Sequence, residues 1–361
     1  MSRKDLTLAL LVPCLLGFGF VIAKPAMESF PPILLNGLRW SLSGLLMCYF
    51  FPFPKNFIKQ MFAISIIGGS VQYSLSFYGL NILDGASATL FVQAEIPFGI
   101  LIVSSFTNYN WTYPDTSFIW FQNYSTLFSD IEFRKSLVTT LKFALIIIIA
   151  PNISGLLIAL LLNKKGKLYN AVRVLIFMPM TLSAVVVSVV WGSILTDNGI
   201  LNAILKQLNL SGLAQSWIGS QTLALPSVAF IVSWQMVGFC MVIYLADLQS
   251  IPKELVEAAK IDGCNERQLF RQISWPLLAG SLTINTTVLS LVGLRLYDQV
   301  VVVTAGGPVG STETIATTMV RTAFQTARVA YASTMAIVLT LLVAIITSAL
   351  VYFLTKREVE R

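Results

Sequence analysis

Residues 249–276 read Gln249-Ser-Ile-Pro-Lys-Glu-Leu-Val-Glu-Ala-Ala-Lys-Ile-Asp-Gly-Cys-Asn-Glu-Arg-Gln-Leu-Phe-Arg-Gln-Ile-Ser-Trp-Pro276. The segment is polar, it separates two long apolar runs, and its punctuation spells two short helices. Ser250 can cap a first helix whose opening turn holds Pro252, with Glu254 and Glu257 near the positive end of the helix dipole. Leu255, Ala258, Ala259 and Ile261 keep one face small and apolar. Gly263 permits a sharp turn, and Asn265 can cap a second helix with Leu269, Phe270 and Ile273 on its apolar side. Pro276 ends that helix and starts the run that follows. The expected product is a helix-turn-helix knuckle with two alanines where another protein's backbone can approach closely. The same composition suits an amphipathic helix lying on lipid, so residue chemistry alone leaves both readings open.

The runs around the knuckle decide the fold class. The chain has 361 residues, of which 56% are hydrophobic and 11% charged, against about 25% charged in soluble domains. Runs such as 6–23, 33–51, 141–162 and 332–354 approach the roughly 20 residues that cross about 30 Å of hydrocarbon. They lack the alternation of barrel strands, so the expected fold is all-α, a polytopic transmembrane helical bundle. The first run follows Arg3 and Lys4, exceeds the usual 7–15 apolar residues of a signal peptide, and has no Ala-x-Ala site after it, which predicts an uncleaved anchor.

Charge and chemistry exclude other classes. The net charge of +7 lies mostly in short loops between spans, where it sets orientation, so no nucleic-acid partner is expected. Cys14, Cys48, Cys240 and Cys264 have no metal or redox spacing, and the chain has no histidine. The stretch 306–312 resembles a phosphate loop but lacks its lysine, and Pro308 removes a donor, so it reads as a turn. No catalytic residue, metal or cofactor is expected. Any nucleotide chemistry must come from a partner.

From residue 104 onward, a polar stretch to 135 precedes five apolar runs at 136–162, 172–195, 222–248, 277–296 and 332–354. Lys164, Lys165 and Lys167, then Lys253, Lys260, Arg267 and Arg271, then Lys356 and Arg357, fall on one side. The long loops 196–221 and 297–331 fall on the other. The excess of Lys and Arg predicts that the first side, with the C-terminus, is cytoplasmic. The outer stretch, from Phe106 and Trp111 to Trp120 and Phe128, reads as an aromatic belt at the headgroups or as a surface for stacking ligands.

The spacing in the knuckle resembles the EAA loop, E-A-A-x3-G-x9-I-x-L-P, of binding-protein-dependent ABC importer permeases. Glu257, Ala258, Ala259, Gly263, Ile273 and Pro276 match it, with Asp262 inside the motif and Trp275 in place of the usual Leu. The stretches 105–111, 121–124, 298–307, 311–314, 321–325 and 331–333 are similar to the carbohydrate branch of that family. The resemblance covers about 98–361 and implies a type-1 ABC importer permease core with coupling loop 250–276. It implies a cytoplasmic ATPase dimer, a second homologous permease subunit and an extracytoplasmic solute-binding protein as partners, with the chain in a bacterial plasma membrane. Glu257 would pair with a basic residue of the ATPase while Ala258 and Ala259 admit its backbone. For the solute path, polar residues within spans are the candidates: Ser233, Gln235, Asn285, Thr286 and Ser290, with Trp234 as an aromatic neighbour. Each serves equally as an interhelical hydrogen bond.

Residues 1–97 follow another design, with Arg39 inside a span and a basic loop at Lys55 and Lys59. Met1-Ser-Arg-Lys-Asp5, Gly17-Phe-Gly-Phe-Val21, Leu38-Arg39 and Leu90-Phe-Val-Gln-Ala94 resemble the start of an EamA-type drug/metabolite exporter. The resemblance covers only part of the spans such exporters have, so three to four extra transmembrane helices precede the permease core. Residues 98–135 are then the end of a truncated first permease helix with an extracytoplasmic connector, and 136–361 the permease domain. Parity sets the two designs in conflict, because a fourth span near 87–103 would bring the chain inside where the permease needs it outside. The large apolar residues of 90–103 favour the membrane by roughly 3–5 kcal/mol while Glu95 alone costs about 2.5–3.5, so this span is marginal. The expected origin is a junction between two genes. An ATP-independent metabolite exporter and a non-functional fusion are the alternatives to the importer subunit.

Overall fold

The computed structural model describes residues 99–113 and 116–356. The expectations for 1–97, including the anchor, the EamA-like spans and most of the marginal segment near Glu95, lie outside the described residues. Residues from Leu101 onward form one compact unit. Within it, the chain is helical through residue 105 and then runs through α1 (Gln122–Ser129), α2 (Ile131–Leu162), α3 (Lys167–Phe177) and α4 (Ala184–Ile194). It continues through α5 (Ile200–Gln207), α6 (Ala224–Ser250), α7 (Lys253–Ile261) and α8 (Glu266–Leu277). The last helices are α9 (Ala279–Leu294), α10 (Asp298–Val303), α11 (Ile315–Phe324) and α12 (Val329–Thr355).

Three helices, α2, α6 and α12, are long and apolar enough to cross a membrane. Two bent pairs raise the number to five: Lys167–Thr181 with α4, bent by 101°, and α8 with α9, bent by 61°. The five expected runs therefore occur, but the second and fourth are broken. Pro179 sits in a 3-10 turn at the end of α3, and Ser183 then starts α4 by accepting the N–H of Val186. A helix that ends on a proline turn and restarts on a hydroxyl cap changes direction there.

The spans meet where side chains are smallest. A Cβ built on Gly155 of α2 would lie 2.6 Å from Cys240 Cβ of α6, and one on Gly293 of α9 would lie 2.7 Å from Ala144 Cα of α2. On Gly238 it would fall 2.3 Å from the carbonyl oxygen of Ile176 in α3. Without water to drive association, such close backbone approach is what holds helices together in lipid. Phe143, Ile147, Met241, Tyr244 and Leu289 fill the core between these contacts. On the other side of α2, Leu145, Ile149, Ile153, Leu157 and Leu161 recur every four residues and are all exposed, a stripe suited to lipid or to another apolar surface.

Polar latches close the end of the bundle where α2 begins. Arg321 of α11 bridges Glu132 and Glu313, each at 3.1 Å, and the hydroxyl of Tyr331 donates to Asp130 at 2.7 Å. The connector is pinned from below, since Asn123 donates to the carbonyls of Ser105 and Thr107, and Ala330 donates to that of Tyr109. Its aromatic residues pack on one another, with Phe106 edge-on to Phe121 at 5.2 Å, while Trp111, Trp120 and Phe121 remain largely exposed.

Candidate functional site

The knuckle takes shape as two helices, α7 and α8, and most of its punctuation follows the residue chemistry. At the end of α7 the N–H of Gly263 bonds to the carbonyl of Lys260 at 3.1 Å, and that of Cys264 to Ala259 at 3.0 Å. This paired closure is a Schellman motif, and it requires a left-handed residue, which Gly263 supplies at φ +82°. Asn265 then caps α8 in a reciprocal box with Gln268, both bonds at 2.9 Å. An exposed ion pair, Lys260 to Glu266 at 3.4 Å, spans the turn and adds little to stability.

Three details depart from expectation. Ser250 does not cap α7: it is the last residue of α6, and its hydroxyl donates to the carbonyl of Asp247. Pro252 forces Ile251 into an extended conformation, so α7 starts only after the proline, with Glu254 in its first turn and Glu257 further along. Pro276 does not end the second helix either. Residues Phe270–Ser274 widen into a π turn, which accommodates the missing N–H and the bulk of the ring one turn later, and the chain bends instead at Leu278.

The motif residues divide into a supporting and a presented set. Ala259 and Leu269 are buried, and Ile273 and Pro276 are half-buried beneath them. Glu257, Ala258, Asp262 and Gly263 are exposed, as are Leu255 and Ile261, the latter at 85%. Apolar Ile261 at the tip of the turn beside exposed Ala258 makes a small knob with no covering among the described residues. Between this knob and the turn at Lys164–Gly166 lies a groove of about 1090 Å³, lined by Lys164, Lys165, Arg173, Lys253 and Glu257 among others. Arg173 holds that turn by donating to the carbonyls of Leu162 and Lys164 at 2.6 and 2.9 Å.

Sequence reading missed the neck of the knuckle. The carboxylate of Asp247 in α6 accepts the backbone N–H of Ser281 in α9 at 3.1 Å and also the Ser281 hydroxyl. The bond ties the two spans from which the knuckle hangs, with a carboxylate at the positive end of α9. An acid near the end of one span followed by a serine two residues into the next was the only sequence signal.

The polar span residues are engaged with one another. Tyr244 donates to Asn152 at 2.7 Å, and the Asn152 amide donates to Ile148 and, at 3.4 Å, to Thr286. Asn285 donates to the carbonyl of Cys240 at 3.5 Å, and its own amide oxygen is buried without a partner. Gln235 donates to the carbonyl of Leu182, which the break between α3 and α4 leaves free, and accepts from Gln299. Ser290 reaches Thr347 of α12 at 3.1 Å, Trp234 lies edge-on to Trp191, and the Ser233 hydroxyl is buried and unpartnered. Asn285, Thr286, Ser290 and Gln235 thus stand between helices of this chain and join α2, α6, α9, α12 and the break between α3 and α4.

Comparison with known proteins places this geometry in a family. Residues 151–359 match the binding-protein-dependent transport system inner membrane component family, and residues 4–115 match the EamA-like transporter family. The chain is 34% identical over 272 residues to "Probable starch degradation products transport system permease protein AmyD" of Thermoanaerobacterium thermosulfurigenes, covering 75% of this chain and 92% of that one. It is 31% identical to "Multiple sugar-binding transport system permease protein MsmF" of Streptococcus mutans, covering 71% and 87%. Two solved structures share the fold. The first is a bacterial ABC transporter for the acidic polysaccharide alginate, with TM-score 0.63, 19% identity and coverage of 78% and 98%. The second is an alginate transporter in complex with a pentasaccharide-bound periplasmic protein, with TM-score 0.60, 18% identity and coverage of 83% and 94%. The chain, which carries an EamA-like segment at its N-terminal end, therefore belongs to the binding-protein-dependent inner membrane permeases, and it is a transporter subunit, not an enzyme.

Proposed function

We propose that this chain is the membrane subunit of an ATP-driven importer for a sugar or related polyol, and that α7 and α8 form the knob through which an ATPase moves it. The observation that carries the reading is the knob itself. The Schellman turn at Gly263 and the capping box at Asn265 hold Glu257, Ala258, Asp262 and Ile261 outward on a rigid corner, while Ala259, Leu269, Ile273 and Pro276 anchor it. Two more features support transmission of force. The Asp247–Ser281 bond closes the neck, and α8 continues through the π turn toward the fourth span, so a push on the corner moves α6 and α9 together.

In this reading a cytoplasmic ATPase dimer grips the knob and Glu257 pairs with one of its basic residues. A second, homologous permease subunit completes the pathway, and an extracytoplasmic solute-binding protein delivers the cargo. The sugar specificity is supported by relatives named for the transport of starch degradation products and of multiple sugars. Ser233, Trp234 and Gln235, beside the broken span, are the candidates nearest a path that opens when α6 moves. Asn285, Thr286 and Ser290 hold the helices whose relative motion opens it. The permease unit extends over 136–361, with the connector 98–135 outside and the C-terminus in the cytoplasm.

Co-purification tests this. The full chain solubilised from membranes is expected to bring down an ATPase subunit, and a reporter fused at Lys165 is expected to be cytoplasmic. Transport that persists with no ATPase in the membrane would favour the exporter alternative, and an extracytoplasmic Lys165 would overturn the orientation.

A further inference from the structure

A second concavity lies away from the knob. A groove of about 960 Å³ runs between the first turns of α2, the start of α6 and the turn at residues 309–311. Arg134, Lys135 and Lys142 line it, and no carboxylate does. The acids near them in sequence are turned elsewhere, since Asp130 accepts from Tyr331 while Glu132 and Glu313 share Arg321. Arg134 donates to the carbonyl of Ser129, which leaves its charge uncompensated. Among the described residues none of the three cations has an ion-pair partner.

Their position sharpens the question. From Lys142 to Leu162 the helix rises about 30 Å, the thickness of the hydrocarbon core, so Lys142 stands at its outer boundary with Arg134 and Lys135 above it in water. The bias that places Lys and Arg on the cytoplasmic side gives no reason for three of them here. Cations converging in one concavity without counter-charge concentrate anions. Among apolar Val138, Leu225 and Pro226, the rim also offers groups suited to hydroxyls: Gln221 and Thr222 border it, and so does Ser311, whose hydroxyl is buried without a partner. The volume also lies within the roughly 300–1,000 Å³ of small-molecule sites.

We propose that this groove receives an anionic polyhydroxy solute, a sugar unit carrying carboxylate, sulfate or phosphate, at the outer mouth of the permease. The inference rests on the importer reading and its orientation. Anionic lipid headgroups offer the same chemistry at the level of Lys142, so the experiment separates the two sources. The full chain is placed in nanodiscs of phosphatidylcholine and titrated with trigalacturonate and, in parallel, with neutral maltotriose. Trigalacturonate is expected to bind at least about tenfold tighter than maltotriose, and K135Q and K142Q each to weaken it by about tenfold. K142R is expected to retain most of the affinity, and phosphatidylglycerol added to the discs to leave it unchanged.

Equal binding of the neutral sugar, or affinity indifferent to K135Q and K142Q, would overturn the proposal. Loss of trigalacturonate binding on adding phosphatidylglycerol would also overturn it and assign the groove to lipid. ATPase co-purification is read on the same preparations. If the ATPase co-purifies and trigalacturonate does not bind, the groove proposal alone fails; if the ATPase does not co-purify, the importer reading fails with it.

Discussion

Replacing Gly263 by valine isolates the backbone of the coupling corner from everything around it. A Cβ at this position would meet nothing within 4 Å, so its addition strains no packing contact. The cost is conformational. At φ +82° a residue with a Cβ is left-handed, which costs about 1–2 kcal/mol for an ordinary side chain and up to about 3 when strain is greatest, as for a β-branched one. Two closing bonds depend on this geometry, Gly263 to Lys260 and Cys264 to Ala259. A penalty of about 2 kcal/mol lowers the population of the intact corner by roughly 30-fold relative to opened forms. Uptake in proteoliposomes holding the ATPase, the second permease and the binding protein is therefore expected to fall to about a tenth or less for Gly263→Val. Gly263→Ala should lie between, and Gly263→Asn should stay near wild type because asparagine tolerates the left-handed region. The thermal midpoint of the bundle should not move, since the corner lies outside the spans. Wild-type uptake by Gly263→Val, or equal loss in the asparagine and valine variants, would refute the reasoning.

Gly238→Val places a side chain 2.3 Å from the Ile176 carbonyl and is expected to destabilise the bundle by at least about 1–3 kcal/mol, visible as a lower thermal midpoint in detergent. Asp247→Ala breaks the neck without touching the knob, so ATPase binding should persist while uptake falls severalfold; equal loss of both would mean the bond is only structural. Glu313 has its carboxyl raised above the usual range by burial, partly offset by Arg321. The folded state therefore holds this proton more tightly than the unfolded one, so stability should fall as pH rises from below the ordinary carboxylate value through the raised one. Glu313→Gln should flatten that portion of a melting-point profile measured against pH.

What could be read from the sequence followed from physics that is local. Each of the five apolar runs from residue 136 onward became a span or a bent pair, and Gly263 and Asn265 announced the corner because a left-handed turn and an N-cap need those residue types. The breaks were invisible for the opposite reason. Hydropathy along 172–195 records only that the residues are apolar, whereas the bend depends on Pro179, on the Ser183 cap, and on Gln235 donating to the carbonyl of Leu182 from 53 positions away. Ser250 was misread because serine before Ile-Pro fits a cap and a helix end equally well. The proline one position beyond Ile251 decided it by keeping that residue extended. Pro276 shows the reverse case, where a residue that ordinarily ends a helix is absorbed by a π turn. The neck at Asp247 and Ser281 joins two spans across the whole knuckle, and no local pattern encodes such a pairing.

The most direct test of the central claim puts a photo-reactive benzoylphenylalanine in place of Ile261, the exposed apolar tip of the corner, in the full chain within membranes that hold the ATPase. Irradiation is expected to link the chain to the ATPase subunit, with a yield that changes when ATP is added. Cross-links to lipid alone, with none to the ATPase in either state, would contradict the account and return the knuckle to a helix lying on the membrane.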